Sequence, residues 1–442
     1  MTGKLREHRR LMCFPDCLSF VYQDRQKLQN TGQNCRKEKD MNQYKEGWEL
    51  PNPFLNAEGK LVENPKEWEE QREYLKSLLI RYQYGTVPPA PPFYREEAIG
   101  KKELLEGAGI EENIRLYFGP KGEITFRIIV LRPNDNEKHK TAIVPSYVNA
   151  KAAEESIRAG YCVVVFDPTE PAPDDFDYKR GSCYQTYPEY TWKVIAMWAW
   201  LQSRTLDYLL MQPYVDSSCV ISAGHSRYGK TALCCAVMDE RFTICAAAGS
   251  GCGGMASSRY SGNRLGDGLG FVETNGWLMR EDGAAYWFVD DFGKYGNKET
   301  ACAHWEENRL DFDAHFIGAV IAPRPLIVLE GLDDQWCNPF GTQISWYAVA
   351  EVYRFLGAEE NCALHYREGG HMFCSEDWRV LRDFVGNRVE NKEKETIYKT
   401  AALGYDVSYG FGWKCPGRQD PTLEDFFHGS VGGKQERIWS FQ

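Results

Sequence analysis

Apolar residues recur along this chain at two spacings, and the switch between them predicts its elements. Residues 67–84 carry apolar positions three and four apart and run into Gly85 with Pro88 beyond, which predicts a helix with its stop signals. An extended segment, Leu50-Pro-Asn-Pro-Phe54, leads into it. Residues 114–118 and 124–131 alternate in the manner of strands across Gly119-Pro-Lys-Gly122, which predicts a hairpin. Strand and helix patterns then take turns: strand 141–148, helix 152–159, strand 161–166, a long amphipathic helix 190–210, an apolar strand 219–223, helix 230–238 and strand 243–248. A chain of this kind builds a parallel sheet with helices on both faces.

A glycine-rich turn at 249–254 opens into residues 255–312, which are irregular, polar and aromatic and too long for a simple connection. They read as an insertion that shapes a cleft. Regular patterns resume with helix 315–321, strand 325–330, helix 343–356, strand 363–366 and helix 375–389, and fade beyond about 395. The expected layout is therefore an N-terminal extension at 1–40, with Met41 a candidate native start, a domain at 41–395 carrying the insertion, and a tail at 396–442. That tail holds Tyr405, Tyr409, Phe411 and Trp413.

Composition narrows the partners more than the fold. With 442 residues, 43% hydrophobic and 26% charged, the chain has the material for a deep core and a buried site. A formal net charge of −11 excludes nucleic acid as the main partner, since phosphate binding needs a basic field. No apolar run has the length of a membrane span, so no membrane partner is expected. The 15 cysteines follow no zinc-type spacing, and Cys162, Cys219, Cys234, Cys235 and Cys245 lie in apolar runs as small buried thiols. The apolar part of the N-terminus, 11–22, is broken by Pro15 and Asp16. Together these features predict a cytoplasmic protein in a reducing compartment.

The chemistry gathers at three loops. Strand 219–223 runs into Ala-Gly-His-Ser226-Arg-Tyr-Gly-Lys230 and then a helix, the strand–turn–helix geometry that exposes a serine at the carboxyl edge of a parallel sheet. The match to Gly-x-Ser-x-Gly is imperfect, because Tyr228 stands where the second glycine belongs and Gly229 follows one later. Asp333 and Asp334 come just after strand 325–330, and His371 sits in Gly369-Gly-His-Met372 after the last strand. Taken singly, these are a plain loop histidine and solvated turn carboxylates. In the order Ser, Asp, His at the ends of three strands they form a catalytic triad, with His371 as general base and Asp334 holding its tautomer. The fold class that follows is α/β: an α/β-hydrolase fold, a three-layer sandwich around a mostly parallel central sheet.

Gly-His-Ser226-Arg-x-Gly-Lys230, Ser250-Gly-Cys-Gly-Gly254, Ala322-Pro-Arg-Pro325, Asp334-x-Trp336 and Gly370-His371 resemble the glucuronoyl esterase family of carbohydrate esterases. The likeness spans about 48–389 and includes Leu50-Pro-x-Pro-Phe54 and Tyr82-x-Tyr-Gly85. It implies hydrolysis of esters between 4-O-methyl-glucuronate of xylan and lignin alcohols, without metal or organic cofactor. It implies that Arg227 donates to the oxyanion, that Lys230 bonds sugar hydroxyls, and that Trp336 walls the sugar ring. An insertion glutamate, Glu273 or alternatively Glu281, would bond ring hydroxyls as well. Some members carry the acid in the turn after the next strand, where this chain has Gly249, which leaves the role to Asp334 two residues before the tryptophan. The disulfide of fungal members has no counterpart, since His225 and Met372 occupy its positions. The expected substrate is a small-molecule or oligosaccharide uronate ester. Two other readings are an acetyl or feruloyl carbohydrate esterase, and a silent hydrolase fold that only binds carbohydrate.

Overall fold

A computed structural model describes residues 49–260, 273–296, 306–389, 397–399, 410–417 and 434–436. The expected extension at 1–40, Met41, Trp48, Tyr405, Tyr409 and parts of the insertion and tail lie outside the described residues.

Nine strands form one sheet: β1 Phe93–Leu104, β2 Gly109–Phe118, β3 Ile124–Pro133, β4 His139–Pro145, β5 Tyr161–Phe166, β6 Val215–His225, β7 Ile244–Ala248, β8 Leu326–Gly331 and β9 Cys362–Arg367. Their spatial order is β1-β2-β3-β5-β4-β6-β7-β8-β9. The β1–β2, β2–β3 and β3–β5 pairs are antiparallel, and every pair from β5 to β9 is parallel. Among the described residues, seven helices longer than the short turns Ser182–Thr186 and Asn275–Leu278 complete the frame: α1 Trp68–Leu79, α2 Ala150–Arg158, α3 Val194–Leu209, α4 Arg227–Met238, α5 His315–Ile321, α6 Pro339–Phe355 and α7 Ser375–Val389.

Successive residues of the buried strands feed two separate cores. Ile143, Val164, Val328 and Leu364 pack into one with side chains of α1, α3, α4, α5 and α6. Ala142, Val144, Val163, Val165, Ile327 and Ala363 pack into the other with Ala152 and Ile157 of α2 and Trp378, Leu381 and Phe384 of α7. Strands apolar on both faces are what a sheet buried between two helix layers requires. The chain has the α/β-hydrolase fold expected of it.

Three local departures have physical causes. β1, with a Glu-Glu and a Lys-Lys pair and almost wholly exposed, lacks an apolar face and so carries no period-two signal. It pairs with β2 through ion pairs such as Lys102–Glu111 and Lys101–Glu112. The helix predicted over 67–84 is α-helical only to Leu79, and Ile80–Tyr84 widen into a π turn before Gly85. Of the tail set apart from 396, residues 410–417 pack on the domain: Trp413 donates its indole N–H to the Leu50 carbonyl at 2.7 Å, and its ring meets Phe54 at 6.0 Å.

Candidate active site

β6 ends at His225, α4 begins at Arg227, and Ser226 between them adopts φ 59° and ψ −130°. Left-handed φ on a serine is strained backbone, tolerated where the surroundings dictate it and common at functional turns. Here the Ser226 N–H donates to the Ala248 carbonyl of β7 at 2.9 Å, and the Lys230 N–H donates to the Ser226 carbonyl at 3.1 Å. The displaced glycine has a packing reason. A Cβ on Gly229 would stand 2.9 Å from the Ala248 carbonyl and 3.1 Å from the Ser250 Cβ, so glycine is needed where α4 leans on the end of β7. Tyr228 packs against Trp198 of α3 with the rings tilted and their centroids 5.1 Å apart.

The loops after β8 and β9 meet beside this elbow. Asp334 is 4% exposed, and its Oδ2 lies 2.7 Å from His371 Nδ1. Asp333 is exposed on the same turn, which leaves Asp334 as the carboxylate that faces the histidine. The His225 and His371 rings are 4.3 Å apart, so the histidine stands alongside the serine's own turn. Among the described residues no hydrogen bond joins the Ser226 hydroxyl to His371; such contacts often close only around substrate. Burial, then the neighbouring His371, hold His225 neutral, well below the usual histidine range. Its Nε2 is buried and makes no hydrogen bond.

Two residues absent from the sequence reading support His371. Cys337 Sγ lies 3.4 Å from His371 Nδ1 and donates to the Gly249 carbonyl at 3.0 Å. Asp334, Cys337 and His371 thus bring oxygen, sulfur and nitrogen donors within 4.8 Å, the one potential metal-holding group among the described residues. The histidine nitrogen in that group is already bonded to the carboxylate. Arg367 at the end of β9 binds the carbonyls of Glu368 and Gly370 at 3.0 Å each and that of Met372, while its Nε meets buried Asp377 at 2.9 Å. This guanidinium fixes the backbone on both sides of His371.

The residues proposed for recognition come from α4 and the insertion. Lys230 is buried, and its Nζ donates to the Ser250 carbonyl at 2.7 Å and to Glu273 Oε2 at 2.8 Å. Two of three ammonium donors are thereby engaged. Burial raises the Glu273 carboxyl above its ordinary range, and Lys230 pulls it back. Glu281, the alternative, is exposed. Trp336 is half-buried, stands edge-on to Trp277 at 4.7 Å, and accepts at its carbonyl the Glu273 N–H at 3.0 Å. Arg227 Nη1 is held by Asp174 Oδ2 at 2.6 Å. Trp277, Trp287 and Asp174 carried no sequence signal, because aromatic and acidic residues are plentiful in both segments.

A serine elbow, an Asp–His pair and a parallel sheet that delivers them at one edge define an esterase of the α/β-hydrolase fold. A sequence model of the family described as "Glucuronyl esterase, fungi" matches residues 120–357, and the chain belongs to the glucuronoyl esterase family. It is similar to carbohydrate esterase MZ0003 of an unknown prokaryotic organism, 26% identical over 409 residues covering 77% of this chain and 89% of that one. It is similar to the 4-O-methyl-glucuronoyl methylesterase of Phanerochaete carnosa, 26% identical over 331 residues covering 74% and 76%. Among solved structures it resembles a carbohydrate esterase family 15 glucuronoyl esterase from Caldicellulosiruptor kristjansonii, with TM-score 0.70, 28% identity, and 83% and 97% of the two chains covered.

Proposed function

We propose that this chain hydrolyses glucuronate esters of carbohydrate through an acyl-enzyme on Ser226. The 2.7 Å contact of Asp334 with His371, set beside the strained Ser226 turn, carries the reading. The Ser226 hydroxyl attacks the ester carbonyl while His371 Nε2 takes its proton, and Asp334 stabilises the imidazolium. Arg227 offers a charged donor to the oxyanion, a stronger bond than a neutral amide gives. The ester C–O bond then breaks, the alcohol leaves with the proton from His371, and water, deprotonated by the same ring, releases the uronic acid and frees Ser226. Lys230 and Glu273, with Trp336 as a wall, hold the sugar. The curated relatives named for 4-O-methyl-glucuronoyl ester cleavage support this substrate class. No step asks for a metal or organic cofactor.

Release of alcohol from benzyl glucuronate tests the reading: Ser226→Ala should bring it to background, and unchanged turnover would refute it. p-Nitrophenyl acetate turned over faster than the glucuronate ester, and equally affected by Lys230→Ala, would favour an acetyl or feruloyl substrate instead. The location we infer is cytoplasmic. None of the eleven cysteines among the described residues forms a disulfide, which supports a reducing compartment and a small imported ester as substrate. Cell fractionation that places the protein outside the cell would overturn it.

A further inference from the structure

Arg227 does not stand on the elbow by itself. Its Nη1 meets Asp174 Oδ2 at 2.6 Å, and Asp174 Oδ1 accepts the Trp287 indole N–H at 2.8 Å. The carboxylate is thereby shared between the residue after the nucleophile and a tryptophan of the insertion. Both mounts are stiff. The Asp174 segment is tied to α3, since Trp198 Nε1 donates to the Ala172 carbonyl at 2.8 Å. Trp287 is tied to the start of the same helix, where the Val194 and Ile195 N–H groups donate to the Tyr286 and Trp287 carbonyls at 3.1 Å and 3.3 Å. Arg227 and Asp174 are about three-quarters or more shielded, with side-chain exposures of 24% and 16%. The ion pair is thus less screened than a surface pair. Lys230 Nζ lies 5.6 Å from the centroid of the same Trp287 ring.

We propose that Asp174 is a positioning residue for Arg227: the carboxylate, oriented by the Trp287 N–H, fixes the guanidinium next to Ser226, where negative charge develops. A long arginine side chain otherwise samples many rotamers, and an oxyanion donor is effective only when held in place before reaction. The pairing also gives the insertion a part in the chemical step, because Trp287 belongs to it while Arg227 belongs to α4. This proposal rests on the reading of Arg227 as oxyanion donor.

The test is a double-mutant cycle on kcat with wild type, Arg227→Ala, Asp174→Ala and the double variant, each with benzyl glucuronate and with p-nitrophenyl acetate. Asp174→Ala should lower kcat about 10- to 100-fold on both esters with KM within about twofold, and should cost nothing further once Arg227 is gone. Trp287→Phe, which keeps an aromatic ring and removes the N–H, should give a smaller loss that also vanishes in the Arg227→Ala background. It serves as the probe if Asp174→Ala fails to fold. A loss that persists undiminished without Arg227 overturns the proposal and leaves the oxyanion reading standing. So does a loss confined to the glucuronate ester, which would put Asp174 in sugar binding, or a rise in kcat, which would mean the ion pair restrains Arg227. If Arg227→Ala itself keeps wild-type kcat, the oxyanion reading fails, and the proposal with it.

Discussion

The two halves of the site are built by different means. Ser226, Asp334 and His371 stand at the ends of β6, β8 and β9, where hydrogen-bonded parallel strands fix both height and spacing. Glu273, Trp277 and Trp287 come from the insertion, whose described parts hold short helical turns and no strand of the sheet. What positions them is a set of single contacts: Glu273 to Lys230, the Trp336 carbonyl to Glu273, the Trp287 indole to Asp174. The first half is a consequence of the fold and the second an addition to it. On the proposed function, chemistry common to many hydrolases sits at the sheet edge, and choice of substrate falls to Lys230, Trp336 and the grafted Glu273.

The largest effects should come from the sheet-borne half. Ser226→Ala should lower kcat by about 10⁴-fold or more on any ester, because a triad acts as a unit. Asp334→Asn keeps the shape but offers His371 the wrong partner, and a loss of about 10³- to 10⁴-fold follows from the misplaced tautomer. Both losses should be equal on p-nitrophenyl acetate and on a glucuronate ester. A loss at Asp334 that depended on the substrate would break the division between the two halves.

The half that pairs α4 with the insertion should respond differently. Lys230→Ala leaves Glu273 as a buried, unpaired carboxylate, and breaking such a pair costs about 3–5 kcal/mol of stability. With Lys230 gone, only His371 and the Cys252 backbone still offset the burial that already raises the Glu273 carboxyl. The folded form then holds its proton more tightly than the unfolded chain does. Stability of this variant should therefore rise as pH is lowered from neutral toward the unfolded glutamate range, a slope that thermal melts against pH would show to be steeper than that of the wild type. The double variant Lys230→Met/Glu273→Met should melt near wild type, yet remain poor on the glucuronate ester alone.

The same contrast explains what could be read before the structure. The alternation of apolar strands and helices was enough for the sheet, because strands buried on both faces are mostly apolar. The proposed triad was read from the same pattern, since Ser226 directly follows an apolar strand and Asp334 and His371 lie in the loops after two more. β1 was illegible for the opposite reason: an edge strand held by Lys–Glu pairs has no apolar rhythm to show. In the insertion, Glu273 was named from the family likeness and not from spacing. Asp174, Arg367 and Trp287 were missed because their roles depend on loops meeting across 10 to 113 positions of sequence.

Two neighbouring glycines bring the comparison to its finest scale. Gly249 and Gly251 follow β7 with φ of 47° and 57°, and each lies under one half of the site. A Cβ on Gly249 would stand 3.2 Å from Asp334 Oδ2 and 3.3 Å from His225 Nε2. The position that bears the acid in some relatives therefore opens onto the same space that Asp334 fills from β8. One on Gly251 would stand 2.3 Å from Glu273 Oε2 and 3.4 Å from Lys230 Nζ. Alanine is strained by about 1–2 kcal/mol at either site, so the backbone cost is shared and the difference is local. Gly249→Ala should press on the Asp334 carboxylate and lower kcat severalfold on every ester. Gly251→Ala must push Glu273 aside, and should raise KM for the glucuronate ester while sparing p-nitrophenyl acetate. Steady-state kinetics of the two variants on both esters separate the outcomes, and equal effects on both substrates from Gly251→Ala would show that Glu273 has no part in recognising the sugar.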